Sequence, residues 1–261
     1  MYDLGTDIAA REDAARQLLG KRAATEVVEG VFVFASPGRG GVAGAVGIAR
    51  RTLAAYFNGR FEKRPTRAVS VYLYPGLRPY NAWCQKSWNT PCDTPYGFYL
   101  QDQRTIVMNV GPGIGTLTHE LVHPLVEADF PGAPTWLDEG IASLFERFGL
   151  TKPGEIHGYK NWRHPRLLRA LRSKKEHASA LPSALFGMDG TTFRNNDEDL
   201  HYATARYLCQ WLDEHKKLWA FYHRYRDNVG DDPTGRQSFT AVVGKPPKAI
   251  DAQWARWVGV L

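Results

Sequence analysis

The sequence predicts an α+β protein: a strand-rich N-terminal subdomain over residues 1–114, built as a mixed sheet with helices, then an all-helical C-terminal subdomain over 115–261. Short runs rich in aromatic and β-branched residues recur up to residue 110. Past Gly115 the spacing of apolar residues lengthens from about two to about 3.6, and nearly everything downstream carries the helical period. The change of period falls on the most chemically distinctive stretch of the chain.

In order, residues 7–19 read as a short helix with Ile8, Ala15, Leu18 and Leu19 on one side. Residues 29–36 (EGVFVFAS) have strand composition, and 43–57 form a helical run that ends at Asn58-Gly59, a good helix stop. Residues 68–74 (AVSVYLY) alternate as a strand; 96–100 and 105–110 read as two more, with Asp102-Gln103-Arg104 as the hairpin turn. The downstream helices are expected at 115–128, 134–148, 163–175, 198–214, 216–226 and 247–258. No repeat or low-complexity segment interrupts this layout.

The 261 residues are 43% hydrophobic, with 12 Phe, 12 Tyr and 8 Trp, which is ample for a sizeable core. Lys plus Arg exceeds Asp plus Glu by 33 to 27, a mild surplus of +6 that permits an acidic partner without demanding one. No run approaches the roughly 18 apolar residues of a membrane span, so none is expected. Met1-Tyr2-Asp3-Leu4-Gly5 has neither a basic region nor an apolar stretch, so no signal peptide is expected in these residues. Cys209 sits in an apolar helical run as a small hydrophobe; Cys84 and Cys92 flank a polar, turn-rich loop and pair if the protein is exported. The location stays open on these grounds, with an extracytoplasmic one, periplasmic or secreted, favoured.

His119-Glu120-Leu121-Val122-His123 fits H-E-x-x-H. Residues four apart share a helix face, so both imidazoles can reach one ion, while Leu121 and Val122 turn to the opposite, core-facing side. Glu120 follows the first histidine and can take the proton of a water that the metal acidifies. A hydrolytic zinc commonly has three protein ligands. The segment Ala133-Pro134-Thr135-Trp136-Leu137-Asp138-Glu139-Gly140-Ile141-Ala142 can start a second helix at Pro134, joined to the first by the turn Asp129-Phe130-Pro131-Gly132. Glu139 lies one turn into it. On its own, an acid there is equally an ordinary helix-start residue favoured by the dipole.

H-E-L-V-H followed by P-T-W-L-D-E-G-I-A resembles the gluzincin signature, H-E-x-x-H then W-L-x-E-G-x-A, of aminopeptidase N-like enzymes and bacterial peptidase MA-like proteins. The resemblance runs as a block over residues 68–148 and returns near Tyr202, covering about half the chain. It implies a zinc metallopeptidase with one Zn2+ per chain, held by His119, His123 and Glu139 at the junction of the two subdomains, with Glu120 as general base. The partner it implies is a peptide or protein substrate; no nucleic acid is expected. In aminopeptidase N-like enzymes a Tyr that stabilises the oxyanion opens a helix reading Y-x-x-G-x-x-v-x-x-x-L. Residues 202–212 (YATARYLCQWL) are similar, which implies that role for Tyr202, with His201 as the alternative and Tyr207 behind both.

Two departures bear on the activity. The aminopeptidase segment whose Glu takes the substrate amino terminus corresponds here to Thr105-Ile106-Val107-Met108-Asn109-Val110, which has no acid. An endopeptidase is therefore expected over an aminopeptidase, with this strand as the edge on which an extended peptide pairs. Thermolysin-like enzymes brace a histidine with an Asp four residues past the glutamate; Ser143 stands there, leaving Glu127 and Asp129 as candidates. A catalytically silent binding protein of the same fold, or a zinc hydrolase of a non-peptide amide or ester, is the alternative reading.

Gly38-Arg39-Gly40-Gly41-Val42-Ala43 fits G-x-G-x-x-A, but the following strand ends without the ribose-binding acid, so a Gly-rich turn is the better reading. Arg163, Arg166, Arg169 and Arg172 drift around their helix and read as a solvated face.

Overall fold

The computed structural model describes residues 1–195 and 197–261. Strands and helices divide as expected for an α+β protein, and the chain forms two compact units. The first comprises Met1–Asp129 with Leu150–Ile156; the second comprises Phe130–Gly149 and His157–Leu261. The change of period at 114/115 does not coincide with this division, because the first helix after Gly115 packs on the sheet.

In the first unit, β1 (Ala24–Val28), β2 (Phe32–Ser36), β3 (Val69–Tyr74), β4 (Gly97–Leu100) and β5 (Thr105–Asn109) form a five-stranded sheet in the order β1-β2-β3-β5-β4. The outer pairs are antiparallel and the inner pairs parallel. Strand β1 was not expected. The strand read over 29–36 begins instead with a turn, in which Glu29 (φ 52°) and Gly30 (φ 67°) both take the left-handed conformation that a tight hairpin needs. The strand read as an edge, β5, is interior; β1 and β4 are the edges, and β4 lies beside β5.

Side chains alternate across this sheet. Ala35, Tyr72, Tyr74 and Val107 face one side, where α1 (Leu4–Leu19) and α3 (Leu77–Trp88) supply Ala15, Tyr80, Trp83 and Cys84 to a common core. Helix α3 occupies much of the stretch read as a loop. Gly76 before it and Asn89 after it, the latter left-handed at φ 56°, mark its ends. Cys84, buried in this helix, is joined by a disulfide to Cys92, with 5.3 Å between their Cα atoms.

The opposite face carries Phe34, Val71, Ile106 and Met108, all buried. Helices α2 (Arg39–Tyr56) and α4 (Gly115–Glu120) pack on the sheet as well. The returning segment Leu150–Ile156 is tied to the end of α2, where Arg60 and Asn58 donate to the Gly154 carbonyl.

The second unit centres on α6 (Thr135–Leu144) and α9 (Glu198–Glu214), which pack closely along one another. The contact is close because Gly140 faces α9: a Cβ there would lie 2.8 Å from Cys209 Sγ and 3.0 Å from the Ala205 carbonyl oxygen. Gly140→Ala is expected to destabilise the protein by ~1–3 kcal/mol through overpacking. A urea midpoint equal to the parent's would show that the two helices separate freely.

Around this pair lie α7 (His164–Arg172), the short α8 (Gly190–Phe193), α10 (Leu218–Asn228), α11 (Arg236–Val243) and α12 (Pro247–Val260), with a small hairpin of β6 (Phe148–Gly149) and β7 (His157–Gly158). Helix α11 was not expected; it lies between two left-handed glycines, Gly235 and Gly244. Trp136, fully buried, packs against Phe186 and Phe221. The arginines read as a solvated stripe are in part structural: Arg163 grips Glu146 through two nitrogens, and Arg166 bridges Glu176 and Asp199. Among the described residues no helix is long and apolar enough to cross a membrane.

Candidate metal centre

The H-E-x-x-H motif does not lie on one unbroken helix. Helix α4 ends at Glu120, Leu121 caps it, and α5 (Val122–Asp129) carries His123. Pro124 explains the interruption. It has no N–H to offer the Glu120 carbonyl one turn back, and its ring crowds that carbonyl. Leu121 keeps right-handed helical angles (φ −68°, ψ −21°), so the two histidines stay on one side. Their rings meet edge to face with centroids 5.0 Å apart. Leu121 and Val122 are fully buried on the other side.

Other side chains hold the motif in place. The buried Tyr56 phenol of α2 donates to the Thr118 carbonyl at 3.1 Å, and burial raises its pKa well above the ordinary tyrosine value, so it stays a donor. Tyr99 of the edge strand shares a face with Ile106 and stacks on the His123 ring, the planes 12° apart and the centroids 6.4 Å apart. Its hydroxyl donates to Glu127 Oε2 at 2.7 Å. Burial first, then the bond to Glu127 and its charge, raise the Tyr99 pKa. Glu127 thus acts on His123 through Tyr99 rather than as a direct brace. Asp129 is fully buried and accepts from the Lys63 backbone N–H at 2.8 Å, fastening the end of α5 to the segment after α2.

His119, Glu120 and Glu139 are 8%, 5% and 4% exposed. Glu120 Oε2 lies 3.8 Å from His123 Nε2. His119, His123 and Glu139 each offer one ligand atom, and the three atoms lie within 4.8 Å of one another. Two imidazoles and one carboxylate, mostly withdrawn from water and converging to that degree, form a group that can hold a metal ion. The donors picked out in the sequence are brought together.

In the second unit, Glu139 has company that the sequence did not announce. Arg194, at the end of α8, donates through Nη2 to Glu139 Oε1 at 2.6 Å and through Nη1 to the Tyr202 hydroxyl oxygen at 3.1 Å. The Arg163 guanidinium lies 4.8 Å over the Tyr202 ring. Burial and then the Glu139 charge raise the Tyr202 pKa, which keeps its proton in place. For Arg194, burial works to lower the pKa, but the Glu139 charge and the two hydrogen bonds carry it above the usual guanidinium value.

The other two residues considered with Tyr202 are engaged elsewhere. His201 Nδ1 bonds the Phe193 carbonyl at 2.9 Å, and the Tyr207 hydroxyl accepts from the buried Asn161 N–H. Ser143, buried one turn after Glu139, makes no hydrogen bond through its hydroxyl among the described residues and braces nothing. Arg194 follows Asp189-Gly190-Thr191-Thr192, a helix-start pattern that the eye passes over because the helix lasts only one turn. No protein-family model matches this chain, and no curated protein is similar to it.

Proposed function

We propose that the chain is a zinc-dependent metallopeptidase of the gluzincin type that cleaves internal peptide bonds. The observation that carries this reading is the convergence of His119, His123 and Glu139, with Glu120 beside His123. Two imidazole nitrogens and a carboxylate oxygen are a set that zinc favours. Bound there, zinc would act as a Lewis acid and bring the pKa of a water down to about 7.

The rest of the chemistry belongs to the protein. Glu120 accepts the proton of the attacking water and passes it to the departing amine; its burial keeps bulk solvent from competing for that proton. Tyr202 donates to the carbonyl oxygen as negative charge gathers there, its O–H polarised by the Arg194 guanidinium that bonds its oxygen. The edge strand β4 offers the substrate a backbone partner. Asn109 donates to the Tyr96 carbonyl, so by alternation the peptide groups of Gly97 and Tyr99 face away from β5, in position to pair with an extended chain. Residues 105–110 carry no acid to hold a free amino terminus, which favours internal bonds. The Cys84–Cys92 disulfide supports a site of action outside the cytoplasm.

Digestion of a peptide library with and without a chelator tests the reading. Cleavage at internal bonds that stops on chelation and returns with zinc is the expected result. Elemental analysis should find one zinc per chain. Zinc without turnover on any peptide would favour a binding protein of this fold, and turnover of small esters or amides alone would favour a non-peptide substrate.

A further inference from the structure

We propose that Arg194 is a positioning residue for the metal centre, orienting the carboxylate of Glu139 and tying it to Tyr202 through a single guanidinium. This rests on the zinc reading above and extends it to a residue outside the motif.

Glu139 is almost wholly buried, and a buried carboxylate needs a partner to stay in one orientation. Arg194 supplies it with a charge-assisted bond of 2.6 Å to Oε1. A carboxylate held by one oxygen presents the other in a fixed direction, which is how a protein sets the geometry of an oxygen ligand. The planar guanidinium simultaneously bonds Tyr202 at 3.1 Å, so the distance between ligand and phenol is set by one rigid fork rather than two flexible chains.

The placement of Arg194 is itself built in. Asp189 caps α8 by accepting from the Thr192 N–H at 2.8 Å. Gly190 approaches the first turn of α6 so closely that a Cβ would lie 2.9 Å from Thr135 Oγ1. Phe193 is buried and packs on the rings of His201 and Tyr202 in α9. The single turn of α8 is therefore pinned to both helices that carry the groups Arg194 joins.

The test is zinc affinity of the purified full chain, measured by competition with a chromophoric chelator, beside the thermal midpoint of the zinc-free protein. Arg194→Ala should weaken zinc binding by about 10–100-fold. Arg194→Lys, which keeps the charge but not the fork, should recover only part of that loss. Glu198→Gln, which removes the outer partner 3.6 Å from Arg194, should leave zinc affinity unchanged. If Arg194→Ala folds poorly, the Arg194→Lys and Arg194→Gln pair decides: affinity must fall further for Gln than for Lys. Parent-like affinity in Arg194→Ala or Arg194→Gln, or tighter binding, would overturn the proposal while leaving the metal centre standing. A parent protein that binds no zinc would overturn both, and a lowered midpoint with unchanged affinity would make Arg194 structural only.

Discussion

Glu120→Gln is expected to bind zinc as the parent does and to lose hydrolysis by ~10²–10⁴ in kcat. The substitution preserves shape and removes one capacity, since an amide cannot accept the proton of an attacking water. Burial sharpens the effect. At 5% exposure, Glu120 is screened from the bulk water and buffer that could otherwise take over as base. Its neighbour His123, whose Nε2 lies 3.8 Å away, belongs to the group that would hold the metal on this reading and would not be available for that role. Zinc content by elemental analysis and turnover of the best library peptide should be read on the same sample. Glu139→Ala is the necessary contrast. It leaves two imidazoles without a third donor and should lose zinc first, with activity partly restored by excess metal. Near-parental turnover in Glu120→Gln would assign the base to another residue.

How much of this was legible in the sequence differs residue by residue. His119 and His123 are four apart, and that spacing survives the break at Leu121 because the capping residue keeps helical angles. Pro124 was in plain view as the cause of the break, but a proline in the first turn of a helix and one inside a helix look alike in sequence. Glu139 could not be told from a helix-start acid by its own surroundings; only the resemblance of the flanking W-L-x-E-G-x-A singled it out. The parallel centre of the sheet was not legible, since periodicity finds strands but not their neighbours. The interior position of β5 follows from β4 folding back outside it through a hairpin, a choice made by tertiary packing. Arg194 was out of reach for a different reason: it comes into play only when α6, α8 and α9 are assembled.

Tyr202→Phe is expected to lower kcat by ~10²–10³ with zinc content and folding intact. The phenol accepts from Arg194, and an oxygen that accepts a charge-assisted bond gives up its own hydrogen more readily to a developing anion. Its pKa lies above the ordinary tyrosine value, with burial as the first cause, so the donor is protonated throughout the range in which zinc would bind. Loss of such a donor corresponds to ~2.7–4 kcal/mol of transition-state stabilisation. Tyr202 also shares the Arg194 guanidinium with Glu139, which opens a competing role as a support of the metal ligand. The two roles separate in one titration of activity against zinc. If Tyr202→Phe regains the parental kcat at saturating zinc, the phenol serves Glu139. If kcat stays low at full occupancy while KM changes little, it serves the carbonyl oxygen. His201→Ala completes the comparison: its Nδ1 bond to the Phe193 carbonyl marks it as a support for α8. A large loss of kcat at full zinc occupancy and unchanged stability in that variant, with Tyr202→Phe at the parental rate, would move the role to the histidine.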